Sequence, residues 1–198
     1  MIQLPVRVLA CLTLLFYCGV SEFRVAAQSS GVISKQPPVL RIFDTDKNES
    51  TVSALLVDPQ SEEFRDMLVY SANHPPPDIR LHSVEYTYLG NIPSRPQAIA
   101  FVFVPLNKHK TAPSFSVAAD GMVLHQGEAT LRELCCVTVN GHTQNPQHIV
   151  VSVPLEILER LTQAKKIELK LNSKRGKYSF KLNDYKRKCL TALANTIK

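Results

Sequence analysis

The stretch from Lys166 to Leu182 limits the fold more than any other part of the chain. Ile167, Leu169 and Leu171 alternate with Lys166, Glu168, Lys170 and Asn172; after Ser173, Tyr178, Phe180 and Leu182 alternate with Lys177, Ser179 and Lys181. Successive side chains on a strand point to opposite faces. Each arm therefore has one apolar face and one that is mostly lysine. An antiparallel pair can leave one face in water, so the stretch reads as a β-hairpin. The turn SKRG closes on Gly176, the residue type most tolerant of positive φ.

The flanking sequence predicts helices that cover the apolar face of this hairpin. Pro154 suits a first helical turn, where its missing N–H would be unpaired in any case. Leu155, Leu158 and Leu161 follow at three-residue intervals, with Glu156, Glu159 and Arg160 on the other side. Asn183 can cap a last helix by accepting from a free N–H of its first turn. Tyr185, Cys189, Leu193 and Ile197 then form one stripe, the pattern of a helix with one buried side. With the strand His148–Val153, residues 148–198 read as a βαββα unit.

The start of the chain has a different character. Arg7 precedes an uncharged, mainly apolar run of 13 residues, Val8–Val20, and Val25-Ala26-Ala27 offers small residues at a cleavage site. This is the pattern of a secretory leader. The run is shorter than the roughly 20 residues of a membrane span. Residues 1–27 are therefore expected to be removed, leaving 171 residues, enough for one domain with a sizeable core. Gln28–Pro38 reads as a flexible lead-in.

Charge is concentrated at the far end. Residues 165–198 hold eleven Lys and Arg against Glu168 and Asp184, which leaves twelve basic and fifteen acidic residues for 1–164. A basic surface of this kind concentrates anions and speeds their association; as a purely solvated face it would serve solubility. Nucleic acid is not the expected partner, because Tyr178 and Phe180 alternate away from the lysines.

Between these ends the chain is β-rich. Val39–Phe43 and Thr51–Val57 read as strands joined by DTDKNES. Asp44, Asp46, Asn48 and Ser50 match four calcium-loop positions, but Glu49 stands where the sharp turn needs Gly and Leu55 where the bidentate Glu belongs. A polar turn is the better reading. Ser61–Tyr70 reads as a short helix or a strand from Met67, and Pro75-Pro76-Pro77 as an extended spacer. Ile79–Tyr88, Ala98–Val104, Ser114–Ala119, Met122–His125 and Leu131–Val139 follow as strands. The unbroken apolar run of Ala98–Val104 predicts a central strand covered on both sides. Asp120-Gly121 is a tight-hairpin signal. Eight to ten strands are expected in all.

No motif names a reaction. The chain lacks a G-x-S-x-G elbow, a glycine-rich phosphate loop, an S-x-x-K and an H-E-x-x-H. Beyond the leader it has Cys135, Cys136 and Cys189. Neighbours on a strand face opposite ways, so one of the first two can meet the helix of Cys189, and Cys136–Cys189 is the candidate disulfide in an exported protein. Three buried thiols acting as small apolar residues is the competing reading. His142 and His148 could join Cys135 and Cys136 around a soft metal.

The segments IVVSVPLEILERLTQAKKIELKLNS and YSFKLNDYKRKCLTALA, following the Ala-Asp-Gly turn at 119–121, resemble the C-terminal half of small exported bacterial proteins with no assigned activity. The resemblance covers Ser114–Ile197. It implies a bacterial, extracytoplasmic protein and brings no site residues. The SKRG turn departs from the shorter glycine turn of those proteins, so the added basic charge is particular to this chain.

These observations converge on an α+β, mainly β fold: an antiparallel sandwich-like or curled sheet over 39–198, ending in the βαββα unit. The expected role is that of an exported, periplasmic or extracellular binding or envelope-structural protein without a cofactor. Lys166, Lys170, Lys177 and Lys181, with Lys174 and Arg175 at the tip, form its candidate contact face. The expected partner is an anionic envelope component or an acidic protein, with the membrane met only through an uncleaved leader. The alternative is an extracytoplasmic enzyme or metal protein using Cys135, Cys136, His142 and His148.

Overall fold

The hairpin forms as the alternation demands. In the computed structural model, β11 (Ile167–Ser173) pairs with β12 (Gly176–Lys181) from Glu168↔Lys181 to Ser173↔Gly176, so Lys174 and Arg175 alone make the turn. The structure describes residues 39–57, 78–92, 94–133, 137–139, 142–144 and 146–197. The leader 1–27, the lead-in 28–38, the segment 61–70, the triproline and the side chains of Cys135, Cys136 and His142 lie outside the described residues.

Before the hairpin come β1 (Val39–Asp44), β2 (Glu49–Leu55), β3 (Ile79–Leu89), β4 (Ala98–Pro105), β5 (Ser114–Ala119), β6 (Met122–Glu128) and β7 (Thr130–Glu133). Then follow β8 (Val137–Val139), β9 (His142–Gln144), β10 (Gln147–Pro154) and α1 (Leu155–Gln163); α2 (Asp184–Ala194) follows the hairpin. The described residues thus hold twelve strands, more than the eight to ten expected. One reason is that the described parts of Leu131–Val139 pair differently: β7 pairs with β10, whereas β8 pairs with β9.

The strands form two larger antiparallel sheets, one ordered β1-β2-β3-β4-β10-β7 and the other β12-β11-β5-β6. Turn chemistry fixes the hairpins within them. Asp120 at φ +50° and Gly121 at φ +86° let β5 reverse into β6 within two residues, the left-handed pair that a tight hairpin requires. Asp44 Oδ1 accepts from the backbone N–H groups of Asp46 and Lys47 at 3.0 and 3.1 Å. These bonds, the Lys47 amide first, hold its carboxyl below the usual range. DTDKNES is therefore a polar turn that bonds to itself.

One apolar core lies between the sheets. Leu81, Val84, Phe101, Phe103, Ile149 and Val151 meet Phe115, Val117, Ile167, Leu169 and Leu171 within a single cluster. Fully burying a side chain such as Phe101 contributes about 1.5–3 kcal/mol. The cover of the hairpin differs from the expected roof of helices. β11 also pairs with β5, which makes the hairpin half of the second sheet, and the Phe180 ring lies 5.0 Å from that of Phe103 on β4. The helices instead pack on the six-stranded sheet, α2 against β1, β2 and β3 and α1 against β4, β10 and α2. Pairing with β5 carries the apolar face of the hairpin onto the six-stranded sheet, where Phe103 meets Phe180.

The helix ends follow local rules. Asn183 Oδ1 accepts from the Lys186 N–H at 2.9 Å, the expected cap. Pro154 sits one position earlier than expected, ending β10 in an extended conformation immediately before α1.

Candidate functional site

The lysines fall together on one surface. Because Lys170 faces Ser179, Lys181 faces Glu168 and Lys177 faces Asn172 across the hairpin, Lys170, Lys177 and Lys181 share the face turned away from the core, and all three are exposed. Lys166 continues that side just before β11, and Lys174 is exposed at the tip. Arg175 is more constrained: its guanidinium donates to the Lys108 carbonyl at 3.3 Å, tying the tip to the loop after β4. That loop is itself held by the buried Gln147, whose amide bonds both the N–H and the C=O of His109, at 2.7 and 3.1 Å.

One acid interrupts this surface. Glu168 accepts from Ser179 Oγ at 2.6 Å and from Lys170 Nζ at 3.2 Å. The serine hydrogen bond first, and then Lys170, hold its carboxyl below the ordinary range. Glu168 therefore ties Lys170 to Ser179 across the hairpin. Lys177 and Lys181 also lie on β12, an edge strand, where lysine discourages pairing with another sheet.

Of the other sequence-predicted groups, Cys189 and His148 have described side chains, and both lie away from that face. Cys189 is buried, its Sγ donating to the Leu55 carbonyl at 3.1 Å; its candidate disulfide partner, Cys136, lies outside the described residues. α2 presses that sulfur against β2, where it fills the core as a small apolar group. Among the described residues no three His, Cys, Asp or Glu side chains are grouped to hold a metal ion. Of the alternative set, His148 alone has a described side chain, and it lies on the side of the six-stranded sheet away from the core.

That far side holds a second polar group that sequence reasoning missed. A bulge between Leu81 and Ser83 shifts the register of β3 against β4, and a bulge re-aims side chains. His82 stands with its ring 6.4 Å from that of His148. Glu85, only 2% exposed, accepts from Arg132 Nη2 at 2.8 Å. Arg132 is on β7, with β10 and β4 between it and β3. In a flat sheet those strands would lie about 14 Å apart. The contact means that the sheet curls toward this side and that the long arginine lies along it. Burial first, then His82 and Arg132, push the His148 imidazole down to about 4; burial also lowers His82.

Comparison with known proteins places the chain in no family. No family model matches it, and no curated protein or solved structure is significantly similar. Its role therefore rests on its own residues.

The signal for the second group was present in the spacing. Ile79 and Leu81 are two apart, as are Val84, Tyr86 and Tyr88, but Leu81 and Val84 are three apart. That change of phase within one strand marks an inserted residue.

Proposed function

We propose that this is an exported, non-enzymatic binding protein whose hairpin face docks an anionic partner, either an envelope component or an acidic protein. The observation that carries the reading is the shared, solvent-facing placement of Lys170, Lys177 and Lys181, continued by Lys166 and Lys174. Against them stands Glu168. Lysine ammonium groups on long stems suit a diffuse anionic surface rather than a shaped carboxylate. The leader-like start of the chain and the resemblance to exported bacterial proteins support an extracytoplasmic setting. Among the described residues no helix is long and apolar enough to cross a membrane.

The test uses polyglutamate and anionic phospholipid vesicles as separate probes. Binding to one of them should weaken as salt rises from 50 to 500 mM, on the order of the change that brings the Debye length well below 10 Å. Replacing Lys166, Lys170, Lys177 and Lys181 by Gln should abolish it. Binding that survives both changes would remove the hairpin face from consideration.

A further inference from the structure

The docking face makes no use of the buried group on the far side of the six-stranded sheet. We propose that His82 and His148 form an acid-sensitive seam: as their imidazoles take up protons, β3, β7 and β10 loosen on this side while the core face holds.

The argument starts from the surroundings. His148 is 2% exposed, and among the described residues neither its Nδ1 nor Arg132 Nε has a hydrogen-bond partner. Arg132 is directly opposite His148 in the β7–β10 register, and the His82 ring is 6.4 Å away. Among the described residues, the charged groups on this side of the neighbouring strands are Arg80 and Glu85 from β3 and Arg132 from β7. β4 and the remainder of β10 contribute none. Glu85 already receives Arg132. With neutral imidazoles the described residues put two positive charges and one negative on this side. With both protonated, four positive charges share this side with one carboxylate, and desolvation and repulsion act in the same direction.

The core face of the same strands contrasts sharply. Leu81, Val84, Phe101, Phe103, Ile149 and Val151 carry nothing that titrates. Acid therefore acts on one side of the sheet. The lowered imidazoles give the sign. Their protons bind more tightly once the seam has opened, so opening is favoured as pH falls from 6.5 toward 4. Between pH 7.5 and pH 4.5 the opening equilibrium should rise about 100-fold through His148 alone.

Hydrogen exchange on the full chain tests this, with rates corrected for the intrinsic effect of pH. Protection of amides in β3, β7 and β10 should fall about 100-fold relative to β5 and β11 between pH 7.5 and pH 4.5. The difference should vanish in His82→Gln/His148→Gln. Equal change in all strands, no change, or an unaltered response in the double variant would each overturn the seam. If that variant fails to fold, the imidazole proton resonances of the unaltered chain decide. One of its six histidines, His148, should titrate at about 4, and a second, His82, below its ordinary value; His148 titrating at about 6 or above would overturn the proposal.

Discussion

Phe101 and Val102 are neighbours on β4 and almost equally inaccessible, at 0% and 1% exposed, yet they face opposite surroundings. Phe101 enters an apolar core shared with the second sheet and the helices. Val102 lies on the side that also buries Ser83, Glu85 and His148. On the first side burial stabilises almost without reservation. On the second each buried polar group carries a desolvation penalty, offset only by its partners. The comparison teaches that one sheet can be closed on both faces while its response to mutation and to pH differs from face to face.

The sharpest way to break that contrast is to cut into the apolar side. Phe101→Ala should lower unfolding free energy by about 3–5 kcal/mol, read as an earlier urea midpoint with an unchanged slope. A loss under about 1 kcal/mol would mean the core is not tightly packed there. The next effect comes from acid. The distance between 6.5 and about 4 for His148 is equivalent to about 3 kcal/mol, present at neutral pH and lost progressively as pH falls through that window. Urea midpoints measured from pH 8 to pH 4 should decline below 6.5 in the unaltered chain and be flatter in His148→Gln.

A smaller effect separates pairing from burial on the polar side. Arg132→Met removes the guanidinium from a nearly inaccessible carboxylate. Because the arginine side chain is 41% exposed, the cost should be about 2 kcal/mol, below that of a fully buried pair. The double change Glu85→Leu/Arg132→Met should recover most of it; equal losses for the single and double variants would show that pairing is not what offsets the burial. Least affected is the hairpin surface. Gln at Lys166, Lys170, Lys177 and Lys181 should move Tm by no more than about 2 °C, since exposed substitutions rarely matter for stability, while binding is lost. A large drop in Tm would recast these lysines as structural.

Much of the strand pattern was legible because local chemistry agreed with the final fold. Ser114–Ala119 alternates cleanly and ends at Asp120-Gly121, and β5 has those bounds. The apolar run of β4 foretold a strand covered on both sides, and β4 lies inside its sheet between β3 and β10. The destination of the hairpin was less legible. Alternation says that Leu169 and Phe180 share a face, but the pairing of Leu169 with Val117 on β5 depends on contacts distant in sequence. The polar group escaped for the same reason. Nothing near Glu85 announces Arg132, 47 positions onward and two intervening strands away. At Cys189 the stripe on the last helix foretold burial, and its sulfur sits against β2 beside the Leu55 carbonyl.

The order in which strands enter the sheets has a consequence for how the protein is made. β10 fits between β4 and β7, and β11 then joins β5, so the final fifty or so residues complete both sheets. A ribosome releasing the chain from its amino end would have delivered most of it before either layer could close. Such late closure favours slow folding.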